Sequence, residues 1–270
     1  MAEHALKEEY PVTDEIYDYD NIITEDDAAV DNIFSEKQQR LLTESLNVSW
    51  EPGRPFLALA DVGIFYAPHQ PPVVPDVLVS LDVRAARDLW KKKNRSYFVQ
   101  VFGKPPEIAV EVVSNREGGE IGPKFRKYAR AGVRYYIVMD PGLQIQKDIL
   151  RVYELSAGQY IPMIGSWLTD AGLGITVWEG EFDGIHQRWL RWTDRNGNLI
   201  LTGRERAESA EITAAEEQQR AEKERQRAES AEITAAEEHQ RAEKERQRAE
   251  RLAEKLRQMG ADPDEIGGIL

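Results

Sequence analysis

The chain has no cysteine, so disulfides and thiolate chemistry are excluded, and any metal must be held by oxygen or imidazole ligands. It also lacks long hydrophobic runs: no stretch approaches the roughly 20 apolar residues that span a bilayer. The opening MAEHALKEEY has neither the basic region nor the apolar run of a secretory leader. A cytoplasmic protein without a membrane partner is expected. Positive charge is in deficit, with a net charge of −13. The deficit is uneven, however: residues 1–31 carry −10, residues 203–270 carry −5, and residues 32–202 carry +2. What governs a polyanionic partner is the local field at the binding face, so an acidic whole does not exclude one.

What is present fits one sizeable core with solvated appendages, since 41% of the 270 residues are hydrophobic and 31% are charged. Residues 1–31 read as an acidic flexible arm without sustained periodicity. From Ser35 the run SEKQQRLLTESL places Leu41, Leu42 and Leu46 at helical spacing, with Ser35 and Gln38 spaced as a capping box. FLALADVGIFYA, VVPDVLVSL and EIAVEVVS read as three strands. The polar stretch RDLWKKKNRSYFVQVFGKPP between the last two reads as an excursion with partial helix.

PKFRKYARAGV follows, with Gly122 as cap, Pro123 in the first helical position and Gly132 ending the helix. RYYIVMD reads as a strand and ILRVYELSAGQYIPM as a hairpin turning at residues 156–158. Trp178, Trp189 and Trp192 fall in the segment that closes the domain, where aromatic bulk would seal the sheet edge. This order predicts an α/β domain over residues 32–202, a mixed sheet flanked by helices.

From Arg206 a 21-residue unit, three heptads long, occurs twice, differing only at Gln218 and His239. Alanines from Ala207 to Ala249 fill one heptad position, while Glu217, Glu224, Glu238 and Glu245 occupy most of the complementary one. Residues 203–258 therefore read as a long charged C-terminal helix, either an alanine-lined coiled coil joining copies of the chain or a single helix supported by pairs such as Glu216 with Arg220. A short segment, residues 259–270, follows, and His239 in its charged surroundings reads as a solvated position.

One carboxylate stands out. Alternation in EIAVEVVS puts Ile108, Val110 and Val112 on one face and Ala109, Glu111 and Val113 on the other. A carboxylate in the middle of an apolar strand is costly unless paired or bound to a cation, so Glu111 needs a partner. Asp76, after Pro75 and at the head of a second strand, supplies a second acid, although Asp after Pro also suits a turn.

The pieces VPDVLVS, PEIAVEVVS and EIGPKFRKYARAGVRYYIVMDP, with the hairpin after them, resemble the Uma-two family of restriction-endonuclease-like proteins, within the PD-(D/E)xK nuclease superfamily, over about residues 33–165. The resemblance implies a restriction-endonuclease-like fold and a Mg²⁺ (or Mn²⁺) site on Asp76, Glu111 and the Val112 carbonyl. Such hard oxygen ligands suit the ion, which would activate water against a phosphodiester. It further implies a polar residue facing the site at Glu36 and an acidic position at Glu120. Either residue also has an ordinary surface role, at a helix start or in a salt bridge. Ser114, Asn115 and Asp140 read as turn residues.

The sequence departs from the superfamily pattern where Val113 fills the lysine slot. On a helix starting at Pro123, with Ile121, Phe125, Tyr128 and Ala129 on the apolar side, Lys124 lies about 80° from the apolar centre and Lys127 about 140° away. Lys124 is the better substitute; it also matches the lysine of the family's KxxxY motif. Lys91, Lys92, Lys93 and Arg95, interleaved with Trp90, Tyr97 and Phe98, offer cations and stacking faces to a nucleic-acid backbone, although charge runs are usually solvated loops. Two functions are expected to compete: Mg²⁺-dependent hydrolysis of DNA with Asp76, Glu111 and Lys124 as catalytic residues, or a catalytically silent binding module that oligomerises through its tail.

Overall fold

The computed structural model describes residues 32–114 and 122–259. The acidic arm, Asn115 and Glu120 lie outside them. Helix α1 (Ile33–Ser49) leads into β1 (Phe56–Ala60), β2 (Ile64–Phe65) and β3 (Val77–Leu81). Next come β4 (Tyr97–Phe98), the single-turn α2 (Val99–Phe102), β5 (Ile108–Val112), α3 (Pro123–Ala131) and β6 (Tyr135–Met139). A hairpin of β7 (Leu150–Ser156) and β8 (Gln159–Pro162) is followed by β9 (Trp167–Leu168), β10 (Leu173–Phe182), β11 (Ile185–Thr193) and α4 (Gly203–Gln258).

Six strands form the main sheet in the order β1-β3-β5-β6-β7-β8. Only β5 and β6 are parallel, and the crossover between them carries α3. The sheet is mixed, as the order of elements predicts. Strand alternation sends Val77, Val79, Ile108 and Val110 to one face, where Leu42 and Leu46 of α1 join them. Leu78, Ala109, Val113, Tyr136 and Val138 go to the other, where Tyr128 of α3 packs. The β7–β8 hairpin turns through Ala157 and Gly158, both at positive φ (49° and 78°), the two-residue geometry that matches strand twist.

Three local expectations are corrected. The α1 cap is Asn32, whose side chain accepts from the Ser35 backbone N–H at 3.0 Å. Ser35 is buried, and Gln38, instead of closing a capping box, exchanges two hydrogen bonds with the backbone of Leu190 (2.9 and 2.8 Å). FLALADVGIFYA is not one strand: Asp61, with φ of 52°, turns the chain, and β2 leaves the main sheet to pair in parallel with β4. Aspartate tolerates that left-handed conformation better than most residues. The tryptophans do not seal an edge of the main sheet. Trp178, Trp189 and Trp192 belong to a second sheet, β11-β10-β9, where Trp189 stacks on Phe34 of α1 at 5.0 Å and Trp192 donates to the Leu42 carbonyl.

The chain divides between Arg206 and Ala207 into two compact units. In the second, every described residue is exposed except Ala253 and Leu256, which are half-buried. Its helix carries i,i+4 ion pairs such as Arg246 with Glu250 (3.1 Å) and Arg241 with Glu245 (3.8 Å). His239 is solvated. No described helix is long and apolar enough to cross a membrane.

Candidate active site

Strand register brings the two acids together. β3 and β5 are antiparallel, with Val77 opposite Val110 and Leu78 opposite Ala109. One step further along, Asp76 falls opposite Glu111, and opposed residues share a face of the sheet. Both are buried, Asp76 to 8% exposure and Glu111 to 2%. At that depth each oxygen needs a partner.

Each has one. Asp76 Oδ2 accepts the Val112 backbone N–H at 2.5 Å, and Oδ1 accepts the Gln39 amide at 2.9 Å. Glu111 Oε2 accepts from Lys124 Nζ at 2.8 Å, and Oε1 accepts from the Tyr128 hydroxyl at 2.5 Å. Lys124 and Tyr128 are four residues apart on α3, hence on one face. Phe125 fixes the rotation of that helix by packing edge-on against Tyr153 and Tyr160, with ring centroids 5.0 Å away in both cases. Gly132, at φ of 81°, ends it.

The electrostatics are unbalanced. Burial pushes the Glu111 carboxyl up to about 8; the Lys124 charge opposes this, the Asp76 charge adds to it, and hydrogen bonds from Lys124 and Tyr128 pull it back only partly. Burial and the neighbouring Glu111 hold the Tyr128 hydroxyl well above its ordinary value, so it remains a donor. The Lys124 side chain keeps 37% of its surface in water. The site thus has a buried acidic floor and a cation at its mouth.

Asp76, Glu111, Val112 and Lys124 converge as a group. Val113 is buried among apolar side chains. Glu36 is a correction: its carboxylate, half-exposed, is engaged by the Arg40 guanidinium at 2.8 and 2.9 Å. The residue α1 sends to Asp76 is Gln39, three positions on and therefore one helical step around the face. Gln39 also donates to Asp61 Oδ1 at 3.1 Å. Gln39 and the Tyr128 hydroxyl were not anticipated as site groups. The KxxxY spacing was the available signal for Tyr128, whereas Gln39 in a polar helix start had none. Ser114 is exposed, and its carbonyl accepts the Gln144 amide at 3.4 Å. Asp140 is a turn residue, fully buried and accepting from the backbone N–H groups of Gln144, Ile145 and Gln146.

In the basic segment, residues 92–94 form a 3-10 turn, Lys91 lies 4.0 Å from Asp88, and the Arg95 guanidinium sits 5.8 Å from the centre of the Trp90 ring. Tyr97 and Phe98 are not available as stacking faces: both are fully buried, Tyr97 bonded to Ser80 and Phe98 stacked on Phe65. Trp90 remains 83% exposed.

Among the described residues no group of three or more His, Asp or Glu gathers as a metal site. Two carboxylates nevertheless suit Mg²⁺ or Mn²⁺, since Mg²⁺ commonly takes one or two protein carboxylates and completes its shell with water. The hard oxygen donors fit such an ion, and a cation bound there would displace the proton that burial holds on Glu111.

No curated protein matches the chain. A solved structure, described as a putative nuclease belonging to DUF820 from Anabaena variabilis, is 16% identical, with a TM-score of 0.36 over 50% of this chain and 69% of that one. The family model described as "Uma2: Putative restriction endonuclease" matches residues 18–170. That span is more than half of the chain, and it contains Asp76, Glu111 and Lys124: the protein belongs to the Uma2 family.

Proposed function

We propose that this protein hydrolyses phosphodiester bonds in DNA at the Asp76–Glu111–Lys124 site, with a divalent cation as cofactor. The observation that carries this reading is the buried Glu111, held between Lys124 and Tyr128 with Asp76 bonded to the next residue of its strand, Val112. Asp76, Glu111 and the Val112 carbonyl would hold the ion. When bound, the ion supplies an activated water and offsets charge developing on the phosphate. Tyr128 keeps Glu111 oriented, and Asp76 is fixed by the Val112 N–H and Gln39. Lys124, partly exposed at the mouth, is the group able to orient the attacking water or to neutralise a phosphate oxygen. Lys91, Lys92, Lys93 and Arg95 would hold the nucleic-acid backbone.

The test is cleavage of labelled DNA with and without Mg²⁺. Asp76→Ala and Glu111→Ala are expected to abolish metal-dependent cutting while circular dichroism shows the fold retained. Unchanged cutting in both variants would refute the assignment.

Val113 in the lysine slot favours a second reading, a silent binding module of the same fold. Under it, the purified protein binds DNA but shows no cleavage at any Mg²⁺ or Mn²⁺ concentration.

A further inference from the structure

Between β3 and β4 the segment from Arg84 to Arg95 carries six Lys and Arg against one acid, Asp88. Beside it lies a groove of about 740 Å³, distinct from the carboxylate site, since neither Asp76 nor Glu111 lines it. Its apolar lining includes Leu57 and Leu59 of the edge strand β1, Phe102, Leu89 and Trp90, with Arg95 among them. Leu89 and Trp90 are 54% and 83% exposed, an unusual position for a leucine and an indole side by side. The Trp90 ring is held from one side: the Arg95 guanidinium lies 5.8 Å from its centre, and Arg95 Nε donates to the Trp90 carbonyl at 3.2 Å.

An apolar floor, a presented indole and a surrounding excess of positive charge together select a ligand. Charge of that density exceeds what a small apolar molecule needs and suits a chain of phosphates. The apolar floor of the groove offers nothing to a duplex, whose bases are stacked away, but it accepts planar rings that have left the stack. A volume of about 740 Å³ is within the range of sites that enclose such rings.

We propose that this groove binds unpaired bases, with Trp90 as the stacking platform and the Arg84–Arg95 cations on the phosphates, so that the preferred nucleic acid is single-stranded or locally opened. The choice of nucleic acid over an acidic peptide rests on the nuclease reading above.

The test is fluorescence anisotropy of the full-length protein, in EDTA to prevent cutting, with a labelled oligothymidylate and a duplex of matched length. The single strand is expected to bind more tightly. Trp90→Ala should weaken single-strand binding by about 5- to 150-fold, the range for loss of one stacked base, with little change for the duplex. Trp90→Phe should restore most of the loss. Lys92→Ala should weaken both and flatten the salt dependence. Equal affinity for the two forms, or a Trp90→Ala variant that binds the single strand like wild type, would overturn the proposal. So would Trp90-dependent binding of an Asp- and Glu-rich peptide with no binding of the oligonucleotide, which would assign the groove to a protein partner. Asp76→Ala separates this inference from the catalytic one: it should lose cleavage and keep oligothymidylate binding. If the Trp90 dependence holds while cutting ignores Asp76 and Glu111, the groove stands and the catalytic assignment falls.

Discussion

Glu111 and Glu205 both lie against a cation, yet their carboxyls move in opposite directions. Glu205 receives two bonds from the buried Arg191 (2.9 and 2.7 Å) and others from Thr202. Burial raises its pKa, but these bonds outweigh it and the net shift is downward. The Arg191 guanidinium, only 1% exposed, is further bonded to the Ile200 carbonyl and lies 5.0 Å from the centre of the Trp178 ring. Glu111 is deeper, faces a single lysine and has Asp76 as a neighbour, so its shift is upward, to about 8. A bidentate arginine holds the Glu205 carboxylate charged, whereas beside Lys124 and Asp76 the deeper Glu111 keeps its proton to about pH 8. The first arrangement holds the chain in place where α4 begins, and the second holds a proton that a bound cation would displace.

The largest effect should come from breaking the Arg191–Glu205 pair. Arg191→Met removes both arginine bonds from Glu205, which is 30% exposed and keeps its Thr202 bonds, and is expected to cost about 3 kcal/mol in urea unfolding, the order for losing hydrogen bonds to a charged group. A loss below about 1 kcal/mol would mean that the pair is solvated.

The Glu111 site should respond with the opposite sign. Glu111 binds its proton more tightly folded than unfolded, so its contribution is fully present below about pH 4.5 and lost as pH rises through about 8. Glu111→Gln removes that penalty. In EDTA the variant should match wild type near pH 4 and exceed it at pH 9 by a few kcal/mol, measured as thermal stability across pH. For Glu205→Gln the sign reverses, because a lowered carboxyl stabilises above its unfolded pKa and fails as pH falls. That variant should lose stability at neutral pH and converge on wild type in acid.

A smaller change is expected at Gln39. Gln39→Ala removes the amide from Asp76 and should cost about 1 kcal/mol by the same unfolding measurement, with Glu36→Ala closer to neutral. The smallest belongs to the tail, where Glu250→Gln breaks an exposed pair and should leave the melting temperature unchanged. Removal of residues 207–258 tests the tail's other proposed role: fewer copies of the chain per particle in solution would support association through its alanine seam, and an unchanged oligomer would remove it.

Much of the fold was legible because its signals are local. The alternation around Glu111, the Pro123 and Gly132 boundaries of α3 and the Ala157–Gly158 turn each depend on a few neighbouring residues. The second sheet was not legible, since residues 173–193 read only as a segment closing the domain and their separation from the main sheet is decided by packing against α1. Glu36 and Gln39 were confused because buried Gln38 and Gln39 blur the polar face of α1, leaving its rotation to be set by Leu190 and Asp76, far along the chain. The burial of Tyr97 and Phe98 was hidden by the charges before them, and depends on the parallel pairing of β4 with β2. Glu111 was legible because a carboxylate in an apolar strand is costly whatever its partners, here Lys124 and Tyr128.

The central claim is that the Glu111 site takes a cation, and isothermal titration of Mg²⁺ into the full chain tests it most directly. The account predicts one saturable site, heats that shift with buffer because binding displaces the Glu111 proton below about pH 8, and loss of that site in Glu111→Gln. No binding at millimolar Mg²⁺, or binding unchanged in Glu111→Gln, would contradict it.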